Sequence, residues 1–79
     1  MKKESLAEEF LKVVAGSLSL NDNAITLNTM KEDIPEWDSL AHIVLFLELE
    51  ERFGVKFSTE QIQHLDSLEL IFSEIQRGN

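Results

Sequence analysis

The sequence predicts an all-α fold: a small bundle of four helices, with a long loop between the first and second and a short third helix. Two observations carry this. Apolar residues recur at helical spacing in three stretches, beginning at Leu6, at His42 and at Leu68. Residues suited to helix starts (Ser5, Asp38, Ser58 and Asp66) stand ahead of four stretches, and glycines follow the first two.

Helix one opens at Ser5, where Glu8 three residues on completes a capping-box pattern. Leu6, Phe10, Val13 and Val14 then share one face until Gly16, which is expected to stop the element. From Ser17 to Trp37 no period holds, yet Leu20, Ile25, Leu27, Met30, Ile34 and Trp37 are scattered through it. A connection this long in a small domain is expected to fold over the core by its own side chains, as a lid. Asn21 to Asn23 supply turn chemistry. Pro35 holds Ile34 extended, so helix two cannot begin before it.

Helix two is expected from Asp38 to Gly54, a good C-terminal stop. "GVKF" at 54–57 has the look of a short strand, but a lone strand lacks a partner. Ser58 with Gln61 forms another capping-box pattern, opening a short helix that ends near His64. Asp66, with Glu69 three positions on, starts the last helix, which turns Leu68, Ile71, Phe72 and Ile75 inward.

At 79 residues the chain reads as a single domain, 1–79, able to bury only about 60% of the surface its unfolded form exposes. Hydrophobic content of 43% with 28% charged residues is globular composition. Fifteen acidic residues against seven basic ones leave a net charge of −8. That charge repels phosphate backbones and anionic lipid, so no nucleic-acid partner is expected, and basic patches on other proteins are the complementary surface. Cysteine is absent, so any thiol chemistry must be borrowed. The longest apolar run, Ile43 to Leu47, is far too short for membrane insertion. The expectation is a cytoplasmic, soluble monomer.

Helix two carries two apolar faces. His42, Leu45, Phe46, Leu49 and Phe53 make a full-length core stripe, while Leu40, Ile43, Val44 and Leu47 line a second face that turns acidic at Glu50 and Glu51. So small a domain can hardly bury both, and the second is expected to be a docking surface. Ser39 adjoins it at the start of the helix, where unpaired amides and the positive end of the macrodipole favour an attached phosphate. Asp38 is suited to cap the helix and to help hold a divalent ion during phosphoryl transfer.

The stretch "DSLAHIVLFLELEERFGVKFSTEQIQHLDSLELI", 38–71, resembles the acyl carrier protein core: Asp-Ser-Leu opens a long helix, a Glu-Glu pair precedes a phenylalanine, a short third helix follows, then a capped fourth. The resemblance runs without a gap to about Ile75 and extends loosely through Ala24 to Thr26 toward Leu6. It implies a four-helix fold of acyl-carrier type and a protein that is not itself an enzyme. It also implies a covalent 4'-phosphopantetheine on Ser39 whose thiol carries acyl or aminoacyl groups as thioesters. The partners it implies are a phosphopantetheinyl transferase, a loading ligase or transferase, and downstream biosynthetic enzymes. They would dock on Leu40, Ala41, Ile43, Val44, Leu47, Glu50 and Glu51. Fatty-acid-type members usually have a small residue, often after glycine, before Asp-Ser-Leu, and acidic residues on the outward face of helix two. Here Glu36 and Trp37 stand first and Ala41 and Val44 second, which points to a specialised carrier rather than a housekeeping one.

The second Asp-Ser-Leu, at Asp66 to Leu68, reads as capping alone. His42 lies three residues after Ser39, but the glycines are Gly16, Gly54 and Gly78, so no glycine-rich turn can build the oxyanion hole of a serine hydrolase. His42 is instead expected to pack on Trp37 and fix how the loop enters the helix. His64 is a last-turn residue, and the histidines and carboxylates show no metal-ligand spacing. The alternative to a carrier is an unmodified helical interaction module that uses the apolar face of helix two.

Overall fold

The computed structural model describes residues 5–78. Its elements are α1 (Leu6–Leu18), a first 3-10 turn (Asp22–Ala24), a second (Lys31–Asp33), α2 (Ser39–Phe53), α3 (Thr59–His64) and α4 (Leu68–Gly78). The all-α expectation holds, with the long connection and the short third helix in place.

Each helix start is set by a local hydrogen bond. Ser5 Oγ accepts from the Glu8 amide at 3.1 Å, which is the serine half of the expected box. Asp38 Oδ1 accepts from the Ala41 amide at 2.9 Å. At α3 both halves of the box form: Gln61 N–H donates to Ser58 Oγ and Ser58 N–H to Gln61 Oε1. Gly54 closes α2 in the left-handed conformation, φ 66°.

Two boundaries differ from expectation. Gly16 does not stop α1, which runs on to Leu18 and turns at Ser19 with φ 61°. A glycine inside a helix is only about 1 kcal/mol worse than alanine, and one more turn buries Leu18. The Leu20 amide then donates to the Ala15 carbonyl at 2.8 Å, closing the Schellman ring. At α4 the capping side chain is Ser67 rather than Asp66: Ser67 Oγ accepts from the Leu70 amide at 3.3 Å. A bridge from the long connection fixes this register, with Lys31 N–H donating to the Asp66 carbonyl and Leu68 N–H to the Thr29 carbonyl.

The core joins α1, α2 and α4, with Ile62 of α3 packed against it. Phe10, Val14, Leu45, Phe46, Leu49, Leu68, Ile71 and Ile75 are essentially sealed, and Phe10 meets Phe72 with ring centroids 5.1 Å apart. The lid forms as expected: Ile25 and Trp37 reach 3% and 2% exposure, and Leu20, Leu27 and Ile34 pack against the cluster. Met30 does not join it, nor does Leu6 from α1; both remain exposed. Phe53, at the end of the α2 stripe, is half-buried. "GVKF" is not a strand; Val55 and Phe57 anchor its path by burying their side chains.

Candidate functional site at the start of helix two

Two features bring the chain to the start of α2. Ile34 is extended ahead of Pro35 (φ −120°, ψ 108°), and Trp37 is driven into the core. Its indole Nε1–H donates to His42 Nδ1 at 2.9 Å. His42 Nε2 lies 2.6 Å from the Ile62 carbonyl, and Phe46 meets the imidazole edge-on. The expected Trp37–His42 contact is thus also a hydrogen bond, and it continues to α3.

With Trp37 buried, Asp38 and Ser39 emerge at the surface. Asp38 caps the helix through its carboxylate, and its carbonyl accepts from the His42 amide. Ser39 is therefore the first helical residue rather than the cap, and its exposed hydroxyl makes no hydrogen bond among the described residues. The first turn of α2 carries no acidic side chain.

Outward from Ser39, Leu40 is 72% exposed, Ile43 52%, Val44 41% and Leu47 60%. Ala41 is half-buried, and Glu51 is exposed. Glu50 is half-buried and engaged within the chain: its Oε2 accepts from the Phe57 amide at 2.9 Å, holding the turn after α2. The second apolar face is therefore open to solvent. Beside it lies an open groove of about 580 Å³ between α2 and α3, lined by Ser39, His42, Ile43, Thr59, Ile62 and Gln63, with Lys31 and Asp66 at the connection. Lys31, Thr59, Gln63 and Asp66 escape sequence reasoning because only the tertiary fold brings them to Ser39. Among the described residues no cluster of three histidines or carboxylates could hold a metal, and no helix is long and apolar enough to cross a membrane.

No protein-family model matches the chain. Curated relatives do. An acyl carrier protein of Petrotoga mobilis is 28% identical over 69 residues, covering 87% of this chain and 81% of its own. One of Rubrobacter xylanophilus is 29% identical, covering 87% and 85%. One of Buchnera aphidicola is 26% identical over 74 residues, covering 94% and 95%. Over most of its length the chain is similar to these acyl carrier proteins. The similarity covers 81% to 95% of those carriers' own lengths.

Within the chain the two Asp-Ser-Leu triplets sit in different registers. In the first, aspartate caps and serine stands free; in the second, serine caps and is half-buried. The difference lies in where each helix begins, α2 at the serine and α4 at the leucine, so the side chain of the preceding residue reaches back to the open amides in each case.

Proposed function

We propose that the chain is a carrier protein, without catalytic activity of its own, that bears 4'-phosphopantetheine on Ser39 and presents acyl or aminoacyl groups to biosynthetic enzymes. The observation that supports this most is the exposed, unbonded Ser39 hydroxyl beside an uncovered aliphatic face. The residues present fit the group. Capping is done by Asp38, so Ser39 can be esterified without loss of the helix start, and the phosphodiester falls at amides and a dipole that favour an anion.

In the modification, Ser39 Oγ attacks the pyrophosphate of coenzyme A under a phosphopantetheinyl transferase. The Oγ–P bond forms, the pyrophosphate P–O bond breaks, adenosine 3',5'-bisphosphate leaves, and the serine proton passes to the transferase. Asp38 Oδ2, which makes no hydrogen bond among the described residues, would be free to help hold a divalent ion during that step. Once attached, the group supplies a terminal thiol that this cysteine-free chain lacks. A loading ligase or transferase then charges the thiol. Tethering keeps the cargo at high local concentration while weak docking lets the carrier leave.

Leu40, Ile43, Val44 and Leu47 offer those enzymes an apolar contact next to Ser39, and Glu51 a charged one further down. Ala41 is a minor part of it, and Glu50 reaches partners only with the oxygen that the Phe57 amide leaves free. Apolar contact so near the serine favours a specialised pathway over general fatty-acid synthesis, and a monomer leaves that face available.

Intact mass after incubation with coenzyme A and a broad-specificity transferase tests the reading. One phosphopantetheinyl group should appear on the wild type and none on Ser39→Ala; an unmodified wild type, or a modified variant, refutes it. The open apolar face also suits an unmodified interaction module. That reading has Val44→Glu abolish function in cells while Ser39→Ala leaves it intact, whereas a carrier loses function with either change.

A further inference from the structure

The groove beside Ser39 contains a cationic side chain that the carrier reading has not used. Lys31 stands on the second 3-10 turn, and its position is fixed through the backbone. Its amide donates to the Asp66 carbonyl at 2.9 Å, while the Leu68 amide donates to the Thr29 carbonyl at 3.1 Å. The two bonds flank Met30 and pin the backbone of the connection where it reaches Lys31. The side chain is half-buried and shares the groove lining with Ser39, Thr59 and Gln63.

Acidic neighbours leave this lysine unclaimed. Glu32 and Asp33 adjoin it in sequence and Asp66 lines the same groove, yet its ammonium forms no ion pair among the described residues. Asp33 is occupied with the Met30 amide at 3.1 Å. In a chain of net charge −8 most of the surface repels an anion placed on Ser39. The open amides of α2 and the Lys31 ammonium attract it, and the Asp66 carboxylate, whose backbone adjoins that of Lys31, opposes them.

Resting on the carrier reading, we propose that Lys31 is a positioning residue for the arm on Ser39: its ammonium pairs with the phosphodiester and turns the arm into the groove, toward Thr59 and Gln63. An arm so held is kept off the apolar docking face, which stays open for the next enzyme.

A cycle of unmodified and modified protein, with Lys31 or Lys31→Gln, isolates the pairing from any structural role of the side chain. The glutamine variant keeps the backbone bonds that anchor the turn. Modification should raise the thermal midpoint of the wild type by about 1–8 °C more than that of Lys31→Gln, the range expected of an exposed ion pair in a domain this small. Lys31→Arg should restore the difference, and molar sodium chloride should erase it. The Thr59 and Gln63 amide resonances should move on modification in the wild type and stay in place in Lys31→Gln. Equal midpoint changes in both proteins, or equal resonance shifts, overturn the role of Lys31 while leaving the carrier intact. A wild type that gains no phosphopantetheine by mass overturns both.

Discussion

His42 uses its two ring nitrogens for opposite purposes. The Trp37 indole has only a proton to give, so Nδ1 must accept it. Nε2 then carries the imidazole proton and donates to the Ile62 carbonyl. One neutral tautomer thus joins the loop before Ser39, α2 and α3. His42→Ala leaves a buried donor and a carbonyl without partners, and should lower stability by about 2–4 kcal/mol in urea unfolding; a loss within experimental error would show that the chain of bonds contributes nothing. The two serines of the repeated triplet make a paired prediction at the same scale. Ser67→Ala removes a cap and should destabilise by about 0.5–2 kcal/mol. Ser39→Ala removes no bond and should stay within about 0.5 kcal/mol of the parent. The reverse order of the two effects would contradict the register assigned to each triplet.

Helix ends govern the element scale. α1 terminates at a serine forced into the left-handed region, where a side chain is strained by roughly 1–2 kcal/mol. Ser19→Gly should therefore raise stability by about 1 kcal/mol, read as a higher midpoint in thermal or urea unfolding; a lower midpoint would mean that the serine side chain contributes more than its strain. α3 is held differently from its neighbours, because none of its residues is fully buried. Its anchors are polar: the capping box, the His42 bond to Ile62, and Gln61 Nε2 donating to Glu74 Oε1 on α4 at 3.0 Å. The wall of the groove facing Ser39 is thus the helix least committed to the core, a disposition that suits local movement. α2 is the opposite case, with its inner stripe sealed and its outer aliphatic face left to solvent.

Charge and size dominate the whole molecule. The usual 0.05–0.15 kcal/mol per residue gives a 79-residue chain a stability on the order of 4–12 kcal/mol. Self-repulsion from a net charge of −8 acts against that small total. The ion pair between Arg77 and Glu74, three residues apart on α4 with the arginine side chain 73% exposed, offsets little of it. Sodium chloride raised from about 10 mM to about 150 mM shortens the screening length from roughly 30 Å to 8 Å, below the 27 Å middle extent of the molecule. The unfolding midpoint of the unmodified protein should rise over that range; a flat or falling midpoint would show that repulsion is already balanced locally.

What the sequence by itself determined lies within one helical turn of the residue responsible. Ser5, Asp38 and Ser58 as caps, Gly54 as a stop, Pro35 as the barrier before α2, and the two faces of α2 all follow from side chains acting on backbone three or four positions away. That range placed Ser39 free at a helix start. Tertiary structure decided the rest. Burial of Leu18 carried α1 through Gly16. The bridge from Thr29 and Lys31 moved the α4 cap to Ser67. Phe57 drew Glu50 into the chain, and His42 found a carbonyl twenty residues away. The groove beside Ser39 joins residues from 31 to 66, whose meeting depends on the packing of the whole core, and no local pattern encodes that.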